Sequence, residues 1–156
     1  LWTRLAQHRG AVAGPKPGAG NHRRSSLRCH LGRALLASDE RFAAAAGSWG
    51  QGRTATRAVR DAEAELEREV SRRVGAMSLV WLAVPDRRER ATLVAGLIGT
   101  LSERGVPAVD PPSAGWLGRN APEPAIPASG LWHVTHTDHG VDEAAVAGFL
   151  RHLGAA

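Results

Sequence analysis

The chain contains no tyrosine among its 156 residues, so it can run no chemistry that needs a phenolic hydroxyl. A single cysteine, Cys29, rules out an internal disulfide. Cys29 stands in the run Leu27-Arg28-Cys29-His30-Leu31 and reads as a small buried side chain rather than a nucleophile. No stretch of about 18 continuous apolar residues occurs, so no membrane-spanning helix is expected. The opening residues do not run from charged to apolar to small, as a secretory leader would. Cytoplasmic residence is the expectation. The chain opens on Leu1, without Met, directly in helix-like sequence, and reads as a fragment whose natural start lies upstream.

Glycine, proline and alanine are abundant. Eighteen Gly and nine Pro imply many loops, and 43% hydrophobic residues allow one modest core, although much of that content is Ala. The net charge is +5 and unevenly spread. Residues 1–60 carry eleven Lys or Arg against Asp39 and Glu40, a net of +9; residues 61–156 carry nine against thirteen acids, a net of −4. Biased coding can raise Arg content, but it does not gather charge in one half of a chain. The asymmetry is a footprint for phosphate-bearing partners, DNA or RNA.

Residues 1–9 have helical spacing, with Leu1 and Leu5 on one face and Arg4 and His8 one turn apart. Gly10 is a natural stop. A basic loop follows over 10–26, then a helix over 27–37, and a loop over 43–57. The clearest helix spans 59–74, where Ala62, Leu66, Val70 and Val74 form an apolar stripe. This helix reads as a packing element without chemistry of its own. Ser78 to Val84 is a short apolar run closed by Pro85, the signature of a buried strand. Asp86 and Glu89 resemble a capping box opening a helix over 87–104, with Val94, Leu97, Ile98 and Leu101 inward. An extended Pro-rich stretch reaches Gly130, and a last helix from Asp142 turns Val146, Phe149, Leu150 and Leu153 inward.

The spacing thus predicts an α/β (α+β) domain, mostly helical, with one central strand at 78–84. A lone strand cannot make a sheet, which leaves its partners to be supplied from upstream or from another chain. Residues 1–105 are expected to form the core, and 106–156 a Pro-rich arm and terminal helix packed on it.

Leu1-Trp-Thr-Arg-Leu-Ala-Gln-His8 resembles the Leu-x-x-Arg-Leu-x-x-His helix of the GIY-YIG endonuclease domain. Gly20-Asn21-His22-Arg23-Arg24-Ser25, the segment Asp110 to Arg119, and Ser129-Gly130-Leu131-Trp132 resemble an uncharacterised bacterial branch of that superfamily. The resemblance implies metal-assisted phosphodiester hydrolysis. Hairpin tyrosines position a water, a helix arginine steadies the phosphate and a glutamate holds a divalent ion, Mg or Mn. Arg4 matches the arginine, whose planar fork suits phosphate oxygens. His8 matches a frequent histidine that could assist proton transfer. The departures are large. The hairpin with its tyrosines is missing, and the metal-binding glutamate should fall near Val94, with Gly96 where the branch has Asn. The resemblance therefore implies a nuclease-family domain that contacts phosphates yet neither binds the metal nor cuts. The alternative is a non-enzymatic basic interaction domain for a protein or RNA partner.

Asn21, His22, Arg23, Arg24, Ser25, Arg28 and His30 form the strongest phosphate-facing group, because the donors are dense and glycines at 18 and 20 let a ligand approach the backbone. His133, His136 and His139 with Asp138 are open between a solvated loop, a metal site and a role in the family's site. Trp49, Trp116 and Trp132 read as core or loop anchors before base-stacking platforms.

Overall fold

A computed structural model of the chain describes residues 8–10, 20–102, 104 and 110–154. The described residues are all-helical. Five α-helices lie wholly among the described residues: α1 (Ser26–Ser38), α2 (Arg57–Gly75), α3 (Arg87–Leu101), α4 (Ala125–Ser129) and α5 (Glu143–Gly154). Short 3₁₀ turns at His22–Arg24, Glu40–Ala45 and Leu117–Asn120 join them. The chain divides into two compact units, Leu1–Ser78 with Leu117–Pro122, and Leu79–Trp116 with Glu123–Ala156.

In the first unit, side-chain caps set the helix boundaries. The Asn21 carboxamide accepts from the Arg23 amide, and the Ser25 hydroxyl accepts from the Arg28 amide to open α1. At the other end Ser38 bonds back to the Ala34 carbonyl at 2.8 Å, and Asp39 caps the next turn through the Arg41 amide. Thr56 caps α2 through the Val59 amide, and Arg72 and Arg73 sit in its last turn, where cations suit the helix dipole. The core gathers Leu31, Ala34 and Leu35 of α1, Leu66 and Val70 of α2, and Phe42, Ala45 and Trp49 of the connection. Trp49 lies against Gly32, donates its indole N–H to the Cys29 carbonyl at 3.0 Å and stacks on the His22 ring at 3.8 Å.

In the second unit Asp86 caps α3 through the Glu89 amide at 2.7 Å, and Asp142 caps α5 through the Ala145 amide at 2.9 Å. The two helices approach through small residues. Gly96 faces Ala145 and Asp142, and Gly148 faces Leu93. Gly130, at φ +71°, terminates α4 in the left-handed region that glycine adopts without strain.

The structure corrects the expected fold class. Residues 78–84 form no strand, and no strand occurs among the described residues, so the α/β assignment with a central strand does not hold. The physical reason is lateral. Leu79, Val80 and Trp81 are 60%, 83% and 64% exposed, and no described backbone pairs beside them. A period-free apolar run marks a segment suited to a sheet, but cannot provide the sheet.

Three helix faces also differ from the expected ones. On α3 the buried positions are Leu93, Gly96 and Gly99, while Val94 and Leu101 are exposed. On α5 they are Ala145 and Gly148, while Leu150 and Leu153 are exposed. Close helix approach selected the small residues and displaced the large apolar ones. On α2 Glu63, Glu67 and Ser71 are buried beside Leu66 and Val70, while Ala62 is exposed.

Gly32→Ala drives a methyl group into the Trp49 indole, which its hydrogen bond and stacking hold in place. The expected loss is about 1–3 kcal/mol, read as a lower urea midpoint at unchanged slope. Gly75→Ala, where an added methyl meets open space, is the control and should leave the midpoint unchanged or raise it.

Candidate nucleic-acid interface

Glu63, Glu67 and Ser71 recur every four residues and so form one polar line along α2. All three are buried, at 2%, 5% and 0% exposure, which requires partners for their charges and hydroxyl. The segment entering α1 supplies them. The Arg28 guanidinium, itself fully buried, donates from Nη2 to the Glu67 carboxylate, to the Glu67 carbonyl at 3.0 Å and to Ser71 Oγ at 2.9 Å. Its Nη1 donates to the carbonyls of His8 and Arg9 at 2.8 and 3.1 Å. Glycine is required beside it, because a Cβ at Gly20 would fall within the guanidinium.

His22 offers its backbone N–H and ring Nδ1 to the same Glu67 oxygen, both at 2.9 Å. Its Nε2 accepts the Gly50 amide at 3.0 Å. A backbone amide can only donate, so Nε2 carries a lone pair and the proton sits on Nδ1. His22 is therefore a neutral strut between α2 and the 48–52 turn.

Arg23 makes a bidentate pair with Glu63, both contacts at 2.7 Å, and Ser48 Oγ donates to the same carboxylate at 2.7 Å. Burial pushes the Glu63 carboxyl upward, but hydrogen bonds from Arg23 and Ser48 outweigh it and hold the group below the usual carboxylate range. For Glu67, too, burial raises the carboxyl while His22 and Arg28 bring it down further. Farther along α2, hydrogen bonds from Arg72 and then Arg73 push Glu69 down to about 2.

Above this buried layer lies a cleft of about 340 Å³. Gly20, Asn21, Arg23 and Arg24 form one wall, Arg53, Thr54, Ala55 and Arg60 another, and Glu63 and Glu67 also contribute to its lining. Arg24, Arg53 and Arg60 are exposed, and none of them pairs with a described carboxylate. Arg60 donates Nη1 to the Ala55 carbonyl at 3.0 Å, which steadies the second wall.

The residues singled out from sequence thus separate by depth. Asn21, Arg23 and Arg24 line the cleft, whereas His22, Ser25 and Arg28 lie buried in the layer that holds it. His8 is helical with Arg9, and its Nδ1 lies 2.7 Å from Ser25 Oγ. His30 is half-buried on α1. Arg4 lies outside the described residues. Sequence reasoning passed over Glu63, Glu67, Arg53, Thr54 and Arg60. The four-residue recurrence of Glu63, Glu67 and Ser71 was visible but stood beside a stronger apolar stripe. Arg53 and Thr54 sit in a loop without periodicity.

In the second unit His136 adopts φ +62°, unusual for a side chain other than glycine, and its Nδ1 lies 3.5 Å from His139 Nε2. His133 turns instead toward Thr135. Trp116 and Trp132 meet edge to face at 5.4 Å, while Trp49 is in the core of the first unit. Among the described residues no group of three or more His, Cys, Asp or Glu converges as a metal site would need.

The family model described as GIY-YIG domain matches residues 1–155. The chain belongs to the GIY-YIG family. No curated protein and no solved structure gives a significant match. The family's domains are of the nuclease type, act on nucleic acids and are generally metal-dependent. In this GIY-YIG chain the residues at the expected metal position do not fit such an ion. Val94 is an exposed valine between Leu93 and Ala95, and none of the three side chains carries the oxygen a hard cation requires. Glu89, on the same helix, is engaged with His152 at 2.9 Å. No helix among the described residues is long and apolar enough to cross a membrane.

Glu67→Gln leaves the buried Arg28 charge without its counter-ion, and the expected cost is about 3–5 kcal/mol; Glu65→Gln, on the exposed side of α2, is the control. Acid should weaken the fold through the same carboxylates. Groups held below their ordinary value of 4.5 contribute fully above it and lose that contribution as pH falls through the folded value, about 2 for Glu69. Unfolding midpoints followed from pH 6 to pH 2 should fall steadily below about 4.5.

Proposed function

We propose that this GIY-YIG chain holds nucleic-acid phosphates in the cleft between residues 20–24 and 53–60 without cutting them. The observation that carries this reading is the charge left over there. Both carboxylates in the lining have their own arginine, Arg23 for Glu63 and Arg28 for Glu67, so Arg24, Arg53 and Arg60 are exposed cations that no carboxylate among the described residues matches. Asn21 and Thr54 add neutral polar groups between them. Guanidinium forks pair with phosphate oxygens while keeping their charge at any physiological pH. His22, Ser25 and Arg28 act from beneath, by fixing the backbone that carries Asn21 and Arg24. Arg4, by its place in the family pattern, is a further phosphate contact, and His8 is tied to the same wall through Ser25.

Cutting requires groups that this chain does not offer. It has no tyrosine to orient a water, and by the family resemblance Val94 falls near the place of the metal-holding glutamate. DNA or RNA is the partner in this reading, and the domain is a binder in the nuclease family's mould.

Fluorescence anisotropy with labelled oligonucleotides tests the binding. Affinity should fall steeply with salt, with a log–log slope of about −0.7 to −0.9 per phosphate contacted, and Arg53→Gln should reduce that slope by about 1. Affinity that does not change between low and high salt defeats the reading. For cutting, the purified chain should leave supercoiled plasmid intact with magnesium or manganese. Nicking that Arg4→Ala abolishes would overturn the inactive assignment.

A further inference from the structure

We infer that the cleft is selective for a phosphomonoester end of a nucleic acid rather than for a diester within the strand; this rests on the phosphate-holding role proposed above. Two properties of the cleft point to an end. The first is charge. Arg24, Arg53 and Arg60 line one cleft as three guanidinium groups that pair with no carboxylate among the described residues. A diester brings a single negative charge, whereas a phosphomonoester brings about −1.5 to −2 at pH 7 and three acceptor oxygens. Three forks around one anion match the second ligand and exceed the first.

The second property is shape and lining. At about 340 Å³ the cleft is at the small end of ligand pockets, sized for one nucleotide rather than a continuous backbone. Its inner lining is not basic. Glu63 and Glu67 border it, but each is neutralised by its own arginine and they are only 2% and 5% exposed, so the floor offers no cation to a second phosphate. A terminal nucleotide suits this arrangement: its doubly charged phosphate fits the arginines at the rim, and its sugar and base lie against a neutral floor. A strand passing through finds cations for one phosphate and none on the floor for the next.

The test compares one labelled single-stranded oligonucleotide with a 5′-hydroxyl, a 5′-phosphate or a 3′-phosphate end, binding to the full chain at fixed salt. One phosphorylated form should bind about tenfold tighter than the hydroxyl form at pH 7.5, the gain from one or two charge-assisted hydrogen bonds. That advantage should shrink at pH 5, below the second phosphate ionisation near pH 6, and vanish in Arg53→Gln and in Arg24→Gln. Equal affinity for all three ends, with salt sensitivity intact, overturns the end-specific inference while leaving the phosphate-holding role standing. No binding to any form defeats both. Inorganic phosphate that competes as well, mole for mole, as the phosphorylated oligonucleotide also overturns the inference, since the cleft would then read free phosphate and not a strand end.

Discussion

The first unit is organised around one buried contact, the Arg28 guanidinium against the Glu67 carboxylate. Arg28 is fully enclosed and reaches five oxygens on three stretches of chain: residues 8–9, Glu67 and Ser71. Such a pair adds little net stability, because desolvating two charges offsets most of their attraction. What it adds is a demand for one geometry. An apolar residue at position 28 could slide against α2, whereas a planar fork with fixed acceptors cannot. Gly20 leaves the space it occupies, and His22 fills the other side of the same carboxylate. The wall of the cleft is thus set by a contact beneath it.

That contact also redistributes the charge that the linear sequence displays. The basic first sixty residues and the acidic remainder look like separate faces, one for a polyanion and one for solvent. Folding brings Glu63 and Glu67 from the acidic part under Arg23 and Arg28 from the basic part. Two of the most conspicuous cations are thereby consumed within the protein. The cations left at the cleft are a smaller set, Arg24, Arg53 and Arg60, drawn partly from a loop that attracts no attention in sequence. A charge count therefore shows the excess of cations, and the fold determines which arginines remain exposed at the cleft.

Local signals were legible where local physics decides. The helices expected over 27–37 and 59–74 occur at Ser26–Ser38 and Arg57–Gly75, and the Asp86 cap opens α3 as its Asp–x–x–Glu spacing suggests. Of the dense donors beside glycine, Asn21, Arg23 and Arg24 line one wall of the cleft, whereas His22, Ser25 and Arg28 lie buried beneath it. Where a neighbour decides, the reading failed. The 78–84 run had strand composition but no lateral partner, and α3 and α5 turned small residues inward because close approach outweighed the apolar area of Val94 and Leu150. Burial of Glu63 and Glu67 was hidden for the same reason: a carboxylate enters a core only when a specific cation meets it, and that cation lay some forty residues away.

These features bear on the proposed reading, in which a nuclease-family domain holds a phosphate without a metal at position 94. The buried layer under the cleft belongs to the first unit, while Val94 lies on α3 in the second, which has its own packing of α3 against α5. Val94 is 49% exposed and its side chain supports no core, so the residue at that position is free to change without a penalty in folding. Arg28 and Glu67 have no such freedom, since removing either strands the other in a dry interior. Mutation therefore erodes the two parts at different rates: selection for folding alone preserves the scaffold of the cleft, whereas only selection for cutting preserves an exposed metal ligand. Arg28, Glu67 and His22 are positions of the first kind and Val94 is one of the second, so the proposed reading, a phosphate held without cutting, places no strain on the fold.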